Sequence, residues 1–289
     1  MRLLTRQHVI FGGFAFLIAL LNVDSLRALV QVALINPTVS HVVGVPFVAL
    51  ILIYSDRDVV FNAVRPRRLV GGCLVLAGLA LAALSHTVLT LPTITLTVAV
   101  SGVALAWVGG FVMMYGLASA RAALFPLAFL AFMIPMPDAM VDGATQFLKS
   151  GSSEAVAGLF TLTGTPYHRQ GFVFSLPTFV IEIADECSGI RSSIALLLTG
   201  LLAGHQFLRK PWTKLILVLM ILPIAVIKNA IRIVALSLLA MHVDPSFLTG
   251  QLHHEGGFVF FFLALALLAP LFVLLKRSEG AGPEPVSQS

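Results

Sequence analysis

Charge is scarce in this chain. Asp, Glu, Lys and Arg make up 11% of its 289 residues, where a soluble domain carries about 25%. An ordinary packed core does not account for that deficit. A bilayer does, because each spanning helix needs roughly 20 mostly apolar residues. Cysteine is scarce too: Cys73 and Cys187 are the only two, in settings too different for a disulfide framework. Cys73 lies in the apolar run LVGGCLVLAGLALAAL and reads as a small buried residue. There is no P-loop, dinucleotide motif or internal repeat. The net charge of +5 is not a nucleic-acid signal, since basic residues of a membrane protein gather in loops and set its orientation. The basic N-terminus lacks a small-residue cleavage pattern, so the first apolar stretch reads as a retained span.

What is abundant is apolar, 58% of the chain, and it falls into runs. The runs predict an all-α, polytopic membrane helical bundle of about eight transmembrane helices. They lie near 8–23, 38–55, 69–87, 93–116, 119–136, 187–207, 213–240 and 256–275. Segment 25–36 is too short to cross. It is expected to pack on the second span or lie in the interface. The basic residues set the orientation. With the N-terminus inside, the cytoplasmic pieces hold Arg2 and Arg6, Arg57 to Arg68, Arg121, Arg209 to Lys214, and Lys276 with Arg277. The opposite side keeps Arg27, Lys149 and Arg169. An even number of spans then places both termini in the cytoplasm. Residues 1–277 are expected to form one integral-membrane domain, with an extracytoplasmic insertion at about 137–186. The tail 278–289 is polar and reads as disordered. Within the insertion, MVDGATQFLKSGSSEAVAGLF predicts an amphipathic helix resting on the membrane surface. TPYHRQGFVFSLPTFVIEIADE predicts a short β-hairpin or extended pair.

Ionisable residues inside spans are costly and point to function. Three groups stand near one face of the predicted bundle. Asp185-Glu186-Cys187-Ser188-Gly189-Ile190-Arg191-Ser192-Ser193 opens the sixth span. A thiol at a helix N-terminus feels the positive end of the dipole, which favours the nucleophilic thiolate. Gly189 allows close approach, and Arg191, four residues on, shares a helix face with Cys187. The two acids work against the thiolate unless they are paired. Lys228-Asn229-Ala230-Ile231-Arg232 lies in the seventh span, where Arg232 sits roughly 12 Å in and is placed to steady an anion at the outer mouth. His253-His254-Glu255 stands at the entry to the eighth span and offers an imidazole for proton transfer. The competing readings are a buried structural cysteine, a structural ion pair and a hydrated interfacial loop. Adjacent histidines lack the i, i+4 spacing of a zinc site, and Ser188 and Ser192 lack a G-x-S-x-G context. No metal and no cofactor is therefore expected.

The run Glu186-Cys187-Ser188-Gly189-Ile190-Arg191-Ser192 resembles the exosortase/archaeosortase family. So do Asn229-Ala230-Ile231-Arg232-Ile233 and His253 with Gly257, and the likeness covers roughly 120–275. It implies a membrane-embedded cysteine transpeptidase or peptidase of the cell inner membrane, with its active site facing the periplasm or outside. Its partners would be the lipid bilayer, exported proteins with a C-terminal sorting helix, and an acceptor nucleophile. Nucleic acid is not among them, and nothing in the sequence fixes an oligomeric state. Carried over, Cys187 is the nucleophile, Arg232 the anion stabiliser and His253 the general acid/base, with His254 as its alternative. Glu186, Ser188, Gly189, Arg191 and Asn229 are the neighbours expected to bind substrate. The reading from another class is a non-catalytic transporter or an assembly factor for surface polysaccharide. There Lys228, Arg232, Glu182 and Asp185 would line a polar path and Cys187 would be incidental.

Overall fold

Apolar runs punctuated by Pro, Gly and short basic loops become helices in the computed structural model, which describes residues 2–89, 91–185, 188–248 and 257–280. The chain divides into two units, 1–140 and 141–289.

The first unit starts with α1 (Arg2–Leu21) and α2 (Val23–Ile35), bent 79° from one another. Asn22 sits at the break, its Nδ2 donating to the Ile18 carbonyl at 2.9 Å. A 3-10 segment, Pro37–Val43, leads into α3 (Val45–Ser55) and the single turn α4 (Arg57–Val60). Two long helices follow, α5 (Arg68–Val88) and α6 (Pro92–Ala122). They pack backbone to backbone as an antiparallel pair through small residues. A Cβ on Gly78 would stand 2.5 Å from the Gly102 carbonyl, and one on Gly109 2.7 Å from the Val75 nitrogen. Lipid tails are as apolar as the helices, so this close van der Waals fit, rather than hydrophobic burial, holds such a pair together.

Gly116 interrupts α6 with φ +87°, and a side chain there would strike the Arg65 carbonyl. Only glycine takes that conformation without strain. The predicted fifth span, 119–136, is not one helix either. It comprises the end of α6, the short α7 (Leu124–Phe129) and a 3-10 turn, Leu130–Met133.

The second unit takes most of α8 (Asp138–Leu162). Its buried stripe, Leu148, Lys149, Ser152, Ser153, Val156 and Phe160, has helical spacing. After it come β1 (His168–Gln170), β2 (Val173–Ser175) and β3 (Val180–Glu182), an antiparallel sheet in the order β1-β2-β3. The sequence led to expect a hairpin, and the third strand extends it. The register sets Arg169 opposite Phe174 and Phe174 opposite Ile181. Phe174, Leu176 and Ile183 then pack with Val156 and Phe160 of α8 and with Ala230 and Val234 of the next long helix.

The remaining helices are α9 (Ile190–Phe207), α10 (Pro211–His242) and α11 (Gly257–Gly280). They share a core of Leu196, Leu217, Ile221, Ala264, Leu268 and Leu275. α11 continues through Ser278 and Glu279, which the sequence assigned to a disordered tail. The rest of that tail, 281–289, lies outside the described residues.

The protein is an all-α polytopic bundle with one small sheet. Among the described residues four helices are long and apolar enough to cross a membrane alone, and seven spans result if each of three bent pairs counts as one. The sequence predicts about eight. The shortfall falls on α9, only 18 residues long and polar at its start. Cys73 is exposed on α5 rather than buried. In a membrane protein the lipid-facing surface is as apolar as the core, so an apolar run does not reveal which face a residue takes.

Candidate active site

The site is built around the start of α9. Gly189 precedes the helix with φ +78°, a left-handed conformation that favours glycine. The Oγ atoms of Ser192 and Ser193 donate to its carbonyl at 2.9 and 2.8 Å. α9 thus begins at Ile190. The helix that bears Arg191 does not extend back through Gly189, and the expected pairing of Arg191 with Cys187 falls on a residue outside the described ones. Arg191 is exposed, while Ser188 is buried. The Ser188 N–H donates to the Asp185 carbonyl at 3.1 Å. Glu186 and Cys187 lie outside the described residues, as do His253 and His254.

α10 closes one side of this turn. A Cβ on Gly189 would stand 3.0 Å from Asn229 Oδ1 and 3.3 Å from Lys228 Nζ. The glycine is therefore required twice, for its backbone angle and for this approach. Lys228 Nζ donates to Ser192 Oγ. Asn229 Nδ2 donates to Ser152 Oγ of α8 at 3.1 Å, and all three of Ser152, Lys228 and Asn229 are buried. One turn along α10, the Arg232 guanidinium lies 5.8 Å from the Phe260 ring centroid, near the start of α11. α10 therefore touches the residues that follow the cysteine motif and those that follow the histidine motif.

α8 closes a second side. Lys149, 7% exposed, places Nζ 2.7 Å from Asp185 Oδ1 and 4.7 Å from the Phe172 ring centroid. One of the two acids that would oppose a thiolate at position 187 is thus paired with a cation. Farther out, Arg169 of β1 meets Glu154 of α8 at 2.8 Å, and that hydrogen bond raises the arginine pKa.

Of the residues the sequence singled out, Ser188, Gly189 and Asn229 gather here, with Arg232 one turn away, while Arg191 turns outward. Sequence reasoning missed Lys149 and Ser152. Their signal was the run KSGSS inside an otherwise amphipathic helix, where small hydroxyls permit close helix contact. Among the described residues no three His, Cys, Asp or Glu side chains form a metal-binding group. Chemically, the arrangement offers cations and a buried amide beside a fixed turn, a setting that stabilises an anion.

A family model described as transmembrane exosortase matches residues 31–270. No curated protein and no solved structure matches the chain.

Proposed function

We propose, for a chain that belongs to the transmembrane exosortase family, that it cuts C-terminal sorting signals of exported proteins through a cysteine acyl-enzyme. Membership supports a sorting-signal-processing transpeptidase in general, and the site residues give that reading a chemical form. The observation that carries it is the double contact of α10. Asn229 and Lys228 lie against Gly189, two residues after the cysteine, and Arg232 lies against Phe260, six residues after the second histidine.

In this reading a substrate helix enters laterally with its basic end in the cytoplasm, and the scissile peptide stands at the outer mouth. The Cys187 thiolate attacks the carbonyl carbon, and the C=O π pair moves to oxygen. Arg232 stabilises that oxyanion. Its collapse restores the carbonyl and expels the amine, which takes a proton from His253, or from His254 in its place. An acceptor amine or hydroxyl, or water, then attacks the thioester carbonyl and gives a proton to the same histidine, and the Cys187 thiolate leaves. With α9 counted as the eighth span, both termini lie in the cytoplasm, and the active site faces the periplasm or outside.

The test is mass spectrometry of a co-expressed exported reporter from the same genome, ending in a short motif, an apolar helix and a basic cluster. The intact enzyme should release a product with a new C-terminal mass, and Cys187→Ala should leave the reporter uncut while the enzyme still inserts. Normal processing by Cys187→Ala would return the chain to the transport or assembly reading.

A further inference from the structure

Lys228 lies inside a spanning helix and is 1% exposed. Its ammonium donates to Ser192 Oγ. Among the described residues the ion pairs join Arg57 to Asp58, Lys149 to Asp185 and Arg169 to Glu154, so no carboxylate there neutralises Lys228. A buried ammonium without a counter-ion is costly, and an apolar residue of similar volume at such a position is often neutral or stabilising. Packing alone therefore gives no reason for a lysine here.

The placement supplies one. Nζ would stand 3.3 Å from a Cβ on Gly189. Gly189 stands two residues after Cys187, and two peptide units span at most about 7 Å between Cα atoms. Ser192 Oγ, which accepts from Lys228, donates in turn to the Gly189 carbonyl at 2.9 Å. The ammonium is thus tied to the turn that follows the cysteine. Arg232 lies on the same helix one turn on.

We infer that Lys228 is a second cation of the catalytic centre, whose counter-ion is the anion formed beside Gly189, first the thiolate and then the oxyanion. This rests on the reading of Cys187 as nucleophile. Its role is that of a charge alone, so no bond to Lys228 forms or breaks. Its contribution is a fixed positive charge in a site of low dielectric constant.

The experiment uses the full chain in detergent on a Cys73→Ala background, with iodoacetamide as the thiol probe. Lys228→Met should slow alkylation of Cys187 about tenfold, the equivalent of one pKa unit. It should lower kcat on the reporter about 100-fold with KM unchanged, the usual cost of removing one anion-stabilising group. Its melting temperature should hold or rise, because a buried charge has gone. Lys228→Gln, which keeps a donor for Ser192 without the charge, should behave the same way. An unchanged alkylation rate, or a melting temperature that falls in step with activity in both variants, overturns the inference. Reporter cleavage that survives in Cys187→Ala overturns instead the nucleophile reading beneath it.

Discussion

Lys149 of α8 holds Asp185 at 2.7 Å, two residues before the cysteine. The lysine is buried, whereas the Asp185 side chain is 68% exposed. The pair thus anchors an outer segment to an inner helix. Phe172, at the turn between β1 and β2, covers the same ammonium. Helix, sheet and the approach to the motif are therefore joined at one cation, and an acid that would repel a thiolate is compensated.

Coupling between these two residues should be measurable. Lys149→Met and Asp185→Asn, made singly and together, form a double-mutant cycle. Water screens the exposed carboxylate, so a coupling energy of about 1 kcal/mol is expected rather than the value of a fully buried pair. Thermal melts in detergent give it. A coupling of zero would show that the contact holds nothing.

Gly189→Ala meets two obstacles. The left-handed backbone costs a residue with a side chain roughly 1–2 kcal/mol. The new methyl would also press on Asn229 Oδ1 and Lys228 Nζ at 3.0 and 3.3 Å. The variant should melt lower and lose reporter cleavage, and Gly189→Ser should do no better. Full activity in the alanine variant would mean that the turn is free to move.

Much of this architecture was legible because lipid imposes a simple rule: a spanning segment must be long, apolar and helical. α5, α6, α10 and α11 follow it, and their runs announced them. The start of α9 did not, since a glycine inside a sequence does not disclose its φ angle. Gly116 interrupts helical geometry where the apolar pattern runs on, and Gly189 holds the start of α9 back to Ile190. Asn229 was legible as a polar type rarely found in an apolar helix, and Gly189 as part of the cysteine motif. Lys149 was not, because a lysine on an amphipathic helix looks like part of a solvated face until the sheet packs over it.

Cys73 provides a control that follows from its position. It is exposed on a helix apolar and long enough to cross the membrane. Cys73→Ala should leave processing and melting temperature unchanged, since no packed neighbour loses a contact. In the parent protein a maleimide should label Cys187 and leave Cys73 unlabelled, since a thiol facing lipid stays protonated. Loss of activity in Cys73→Ala would assign the position a role beyond lining the lipid.

At the opposite end of α10, Glu279 caps the helix from a distant part of the chain. Its carboxylate accepts from the Arg209 N–H at 2.8 Å, from the Lys210 N–H at 2.8 Å and from the Thr213 hydroxyl. These donors surround the N-terminus of a 32-residue helix, where unpaired N–H groups and the helix dipole both favour an anion. Pro211 follows at the first helical position and has no N–H to satisfy. The end of α11 is thereby fastened to the start of α10, and α10 is the helix that bears Lys228, Asn229 and Arg232. Glu279→Ala should lower the melting temperature, and truncation after Arg277 should lower it equally, because both remove the same carboxylate. Glu279→Gln should lie between, as its amide oxygen still accepts but carries no charge. kcat should stay near the parent value at temperatures well below the melt, since Lys228 is some 17 residues along α10 from the cap, about 25 Å at the helical rise. A truncated protein that melts like the parent would show that the cap contributes nothing to α10.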